Sequence, residues 1–131
     1  MRNCNPGNIR LSRVKYQGEV TPSQDKYFKQ FQTMAWGYRA MFVVLDSYHR
    51  KGFKTIRQMI NRYAPPVENH TDNYVNFVSV NSGTPADQIL DPESEGLMIP
   101  IISAMSYMEN GHPAVYEEVA EGWRLFRKHR P

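Results

Sequence analysis

The sequence predicts an α+β domain, mainly α, with a small N-terminal β-hairpin followed by about five helices. Two observations carry this reading. From Thr33 onward, apolar residues recur at spacings of three and four, with capping residues before each run and glycine, Asn-Gly or proline after most of them. Before Thr33 that period is missing, and turn signals separate short apolar and aromatic pieces. The 131 residues contain no internal repeat and no low-complexity segment, so one domain spanning 1–131 is expected.

Asn5-Pro6-Gly7-Asn8 is a dense turn signal. Ile9, Leu11 and Val14 follow it as a short strand. Tyr27, Phe28 and Phe31 fall in a second strand between Asp25 and Gln32, with Gln17-Gly18 between the two. Together they make an antiparallel hairpin or a three-stranded sheet. Thr33 caps the first helix, whose stripe is Met34, Tyr38, Met41, Phe42, Leu45 and Tyr48, and Gly52 terminates it. Thr55 starts the second, with Ile56, Met59, Ile60 and Tyr63 on one face. Pro65-Pro66 ends it, because the residue before proline avoids the helical region. Thr71 caps the third, which carries Tyr74, Val75, Phe77 and Val78 and closes at Asn81-Ser82-Gly83. Pro85 opens a short turn of helix ending at Asp91-Pro92. The fourth helix runs from about Ser94 to Glu109 on Leu97, Ile101, Ile102, Met105 and Met108, with Pro100 in its first two turns and Asn110-Gly111 as its stop. Pro113 starts the last helix, which carries Val115, Val119, Trp123 and Phe126.

Composition narrows the function classes. Cys4 is the single cysteine, which excludes an internal disulfide and a cysteine zinc cluster. No apolar h-region opens the chain, so synthesis in the cytoplasm without a signal peptide is expected. The apolar run Leu97–Met108 is too short and too mixed to span a bilayer. His49, His70, His112 and His129 have no zinc-ligand spacing, and there is neither a phosphate loop nor a dinucleotide fingerprint. No metal and no organic cofactor is expected. The net charge of +3 is mild, with one basic cluster at Arg124, Arg127, Lys128, His129 and Arg130. That cluster is a solvated tail or the footprint of an anionic partner. Nucleic acid is disfavoured, because basic residues do not alternate with aromatics on any one face.

Two carboxylates stand out. Glu109 falls at the C-terminal end of a helix beside Met105 and Met108. The macrodipole disfavours an anion there, and partial desolvation acts in the same direction. A general acid for glycoside cleavage needs such a place, to hold a proton near neutral pH. The plainer alternative is an exposed glutamate before an Asn-Gly cap. Glu68 lies in the proline-stiffened segment Tyr63-Ala64-Pro65-Pro66-Val67-Glu68-Asn69, as a ligand-facing group or as a solvated residue before the Thr71 cap. Glu93, Glu95, Glu117, Glu118 and Glu121 read as ordinary helix-surface charges. Trp36, Tyr63, Tyr74, Tyr107 and Trp123 read mostly as core, one or two of them being suited to line a sugar groove.

The string Arg2-Asn3-Cys4-Asn5-Pro6-Gly7-Asn8-Ile9-Arg10 resembles the opening of a lysozyme-like family of phages and prophages, whose members are virion structural proteins or peptidoglycan hydrolases. The likeness continues through Phe28–Phe31, Gly37-Tyr38-Arg39-Ala40-Met41 and Arg62-Tyr63-Ala64-Pro65-Pro66 with Glu68-Asn69, Thr71 and Tyr74, and ends at Glu109-Asn110-Gly111. Cys4 departs from it, standing where a polar residue, commonly asparagine, is expected. A weaker likeness is to bacterial cell-wall glucosaminidases of the lysozyme superfamily. Asn8-Ile9-Arg10, Phe28–Phe31 and Tyr63-Ala64-Pro65 keep that family's order, but the glutamate-ended helix comes last instead of first. The resemblance therefore implies a circularly permuted lysozyme-like fold, with Glu109 in a groove beside Asn5–Arg10 and 63–68. It implies cleavage of peptidoglycan glycan strands by hydrolysis or transglycosylation. Glu109 would be the general acid, with Glu68 or Tyr63 assisting and Asn5, Asn8, Arg10, Thr71 and Tyr74 binding substrate or bracing the site. A monomer acting at the cell wall after release or delivery is implied, with other virion proteins as partners. The alternative is a non-catalytic virion or wall-binding module on the same fold.

Overall fold

Three of the helices begin where a serine or threonine side chain provides a cap. In the computed structural model, which describes residues 2–64 and 68–131 and all of their side chains except those of Arg2, Glu68 and Asn69, the element order is β1 (Glu19–Val20), β2 (Gln30–Phe31), α1 (Met34–Arg50), α2 (Ile56–Tyr63), α3 (Glu68–Ser82), α4 (Glu95–Asn110) and α5 (Tyr116–Lys128). A short 3₁₀ turn, Arg2–Cys4, precedes them. The Thr33 hydroxyl accepts from the Trp36 N–H at 3.2 Å, Thr55 from Gln58 at 3.1 Å and Ser94 from Leu97 at 3.3 Å. α1, α3 and α4 stop at the expected Gly52, Gly83 and Gly111. The predicted stop of α2 at Pro65-Pro66 lies outside the described residues.

Three helix-level expectations are corrected. α3 starts at Glu68, not after Thr71. Thr71 lies one turn before Tyr74 and Val75 on the same buried face, so it serves as an interior residue rather than a cap. α5 starts at Tyr116 rather than Pro113, with Glu117 and Glu118 in its first turn where the dipole favours them, and Val115 is exposed rather than core. Residues 85–91 form no helix; the Gln88 N–H closes a single turn on the Pro85 carbonyl at 3.2 Å. Pro100 does lie in the second turn of α4, where it leaves the Gly96 carbonyl without its usual donor.

The β element also differs from expectation. β1 and β2 pair antiparallel, Glu19 opposite Phe31 and Val20 opposite Gln30. The Gln17-Gly18 turn therefore precedes the hairpin instead of joining its strands. The expected strand through Ile9, Leu11 and Val14 shrinks to one bridge between Arg10 and Phe28, leaving Leu11 and Val14 exposed. The reason is Lys29. Its fully buried ammonium pairs with Glu19 at 3.0 Å and takes the carbonyls of Val14 at 2.7 Å and Ser12 at 3.4 Å. Residues 12–14 curl around that charge, so their carbonyls are not spent on a ladder.

The core draws on all five helices and is built on Tyr38, Phe42, Leu45, Met59, Val78, Ile102, Met105 and Trp123. α1 and α5 make the closest crossing. A Cβ on Gly122 would stand 2.6 Å from the Tyr38 Cβ and 3.0 Å from the Ala35 carbonyl, so only glycine fits. None of the described helices is long and apolar enough to cross a membrane.

Candidate active site

The Asn5–Asn8 turn is built from its own side chains. The Asn8 N–H closes on the Asn5 carbonyl at 3.1 Å. The Asn5 Oδ1 accepts from the Ile9 N–H at 3.0 Å, and its Nδ2 donates to the carbonyls of Ile9 and Lys29, both at 2.9 Å. Asn5 is 2% exposed, so it braces the turn and presents no face to a ligand. Asn8 adopts φ +50°, a left-handed conformation that asparagine tolerates.

Asn8 and Asn110 join this turn to the end of α4. The Asn8 Nδ2 donates to the Glu109 Oε1 at 3.0 Å and to the Glu109 carbonyl at 3.2 Å. The Asn110 Nδ2 donates back to the Pro6 carbonyl at 2.7 Å and within α4 to the Ser106 carbonyl at 2.9 Å. From the buried side, the Tyr74 hydroxyl on α3 donates to the Glu109 Oε2 at 3.0 Å. Both carboxyl oxygens of Glu109 thus have a partner, which fixes the plane of the group while leaving each a second lone pair. Tyr63, in the last turn of α2, donates its hydroxyl to the Gly7 carbonyl. A Cβ on Gly7 would stand 2.3 Å from that hydroxyl oxygen, so glycine is what lets the turn approach α2.

These elements line one cavity of about 1270 Å³. Glu109, Asn8, Arg10 and Tyr63 all lie on its wall, as expected for residues grouped around Glu109. Tyr74 stands behind Glu109, 2% exposed. Thr71 is buried on α3 and does not line the cavity. The side chain of Glu68 lies outside the described residues. Burial, and after it the charge of Glu109, hold the Tyr63 and Tyr74 phenols well above their ordinary pKa, so both remain hydrogen-bond donors throughout the neutral range. Among the described residues no group of three or more His, Cys, Asp or Glu side chains is placed to hold a metal ion.

Other lining residues were missed by sequence reasoning. They include Tyr16, Arg39, Lys51 and the C-terminal residues Lys128–Pro131. Burial lowers the pKa of the Arg39 guanidinium, with the neighbouring Tyr16 acting in the other direction. One signal was available: Arg39 directly follows Tyr38 in the stripe of the most apolar part of α1, a costly place for a charge without a purpose. The basic cluster at the chain's end was visible, but nothing local tied it to residues 7–17.

No family model matches the sequence. A similar protein is Protein P5 of Pseudoalteromonas phage PM2, 38% identical over 128 residues, an alignment covering 94% of this chain and 78% of the phage protein. At that identity across nearly the whole chain, the chain belongs to the family of this phage protein.

Proposed function

We propose that this chain is a phage peptidoglycan glycosidase, a circularly permuted lysozyme-like domain in which Glu109 is the general acid. The observation that supports this most is the placement of Glu109: at a helix end, on the wall of a large cavity, its carboxyl held from two sides by Asn8 and Tyr74. A free surface glutamate would have neither anchor. The grouping of Glu109 with the Asn5–Arg10 turn and Tyr63 also agrees with a segment order in which the glutamate-ended helix has moved to the C-terminal half.

In this reading Glu109 gives its proton to the glycosidic oxygen as the C1–O bond breaks, and the departing oxygen keeps the bonding electron pair. Positive charge develops at C1. The Glu109 carboxylate then takes a proton from the attacking water, or from the sugar's own hydroxyl, which would leave an anhydro end. Tyr63 and Asn8 fix the distance between the acid and the sugar, and Glu68, whose side chain lies outside the described residues, is the second carboxylate this reading assigns to steadying the charge or positioning water.

The test is release of soluble fragments from purified peptidoglycan, read by mass spectrometry, for wild type and Glu109→Gln. Wild type should release fragments and the variant should lose about 10²–10⁴-fold, the usual contribution of a general acid. The product end identifies the bond and separates hydrolysis from transglycosylation. No release from several wall types, with binding retained, would replace this reading with that of a non-catalytic virion or wall-binding module.

A further inference from the structure

Arg39 is 4% exposed and lines the cavity, yet no carboxylate lies within ion-pair distance of it among the described residues. One terminal nitrogen donates to the His129 carbonyl, and Nε is buried with no partner at all. An uncompensated buried guanidinium is costly, and a fold that keeps one on a cavity wall has a reason to do so. Arg10, Lys51 and Lys128 are exposed and line the same cavity, and none of them has a carboxylate partner among the described residues. Glu109 is the one acidic side chain on the described lining.

We infer that the Arg39 side of the cavity is an anion subsite, which takes the carboxylates of the peptide substituents carried by a peptidoglycan strand. The identity of the ligand rests on the glycosidase reading; the existence of the subsite does not. Charge decides between anionic polymers. A polyphosphate would bring a phosphate against the Glu109 carboxylate wherever it filled the cavity. A glycan with peptide branches presents a neutral linkage to Glu109 and carboxylates to Arg39, Lys51 and Lys128. The second ligand meets the basic lining residues without placing an anion against Glu109.

The experiment is calorimetric titration of the full chain with two probes of equal sugar length: a disaccharide bearing its peptide, and the same disaccharide with the peptide removed. The peptide-bearing probe should bind about tenfold more tightly, the worth of one charge-assisted hydrogen bond. The gap should narrow with added salt and in the Lys51→Ala, Lys128→Ala double variant, whose exposed positions leave the fold intact. Arg39→Gln should close it further and Arg39→Lys should restore part of it, with circular dichroism checking that both fold. Equal affinity for the two probes, a gap unchanged in the double variant, or tighter binding of duplex DNA would each overturn the inference. The two proposals fail separately. A peptide-dependent gap without cleavage would keep the subsite and remove the enzyme. Cleavage without a gap would do the reverse.

Discussion

Glu109 is useful only as far as its neighbours hold it. Tyr74 is buried and its hydroxyl meets the Glu109 Oε2 at 3.0 Å, so Tyr74→Phe removes the buried donor that holds that oxygen. Hydrogen bonds to charged groups contribute about 1.5–3 kcal/mol, and a urea titration of Tyr74→Phe should show a loss in that range. If the glycosidase reading holds, the same substitution should lower kcat by about tenfold to a hundredfold with little change in KM, because it disturbs the aim of the acid and not the grip on the sugar. Asn8→Ala removes the other anchor along with the tie to the Glu109 carbonyl, and steady-state kinetics should place it in the same class. A variant pair in which KM rises while kcat holds would mean that these side chains bind substrate instead of orienting Glu109.

The helices set the frame in which those side chains meet. Gly122→Ala tests the tightest crossing. Alanine gains about 1 kcal/mol of helix propensity over glycine, but the added methyl meets a Cβ at 2.6 Å and a backbone oxygen at 3.0 Å, neither of which can rotate away. Overpacking of this kind costs about 1–3 kcal/mol, so the clash wins and thermal unfolding should move to lower temperature. Much at this scale was legible in the sequence, because it is local. Thr33, Thr55 and Ser94 cap by reaching three residues along the chain, and glycines 52, 83 and 111 stop helices through their own backbone. The hairpin was not legible in register, because its pairing answers to the Lys29–Glu19 ion pair, a contact between two polar residues whose burial no periodicity reports. Thr71 and Pro113 misled for the same reason: each carries a strong local start signal, and in each case packing against other elements decided the boundary. Around the cavity, Glu109 was legible as a carboxylate at a helix end and Asn8 as part of a dense turn signal, whereas Arg39 depends on which distant segments close over it.

Over the whole molecule, the buried phenols couple stability to alkaline pH. Tyr16, Tyr38, Tyr48, Tyr63 and Tyr74 all titrate above the ordinary value of 10.0, burial being the first cause in each. The folded chain keeps these protons above pH 10 while the unfolded chain releases them, so stability is whole below that pH and falls as pH rises past it. Between pH 10 and 11 each deeply buried phenol should cost about 1 kcal/mol, and chemical denaturation at pH 9, 10 and 11 should show the drop. Tyr74→Phe, already weaker at neutral pH, should show a shallower fall; an unchanged slope would mean that Tyr74 ionises in the folded state. The ties between Asn8 and Glu109 and between Pro6 and Asn110 also govern timing. These partners lie 101 and 104 residues apart along the chain. During synthesis the turn that grips the carboxyl is made early and has nothing to hold until the end of α4 arrives. A growing chain therefore carries all the parts of α1, α2 and α3 without these ties, and a copy cut short before residue 110 cannot complete them. If the glycosidase reading holds, the hold on its acid is complete only once α4 has been made, so chains shortened before residue 110 should release no fragments from peptidoglycan.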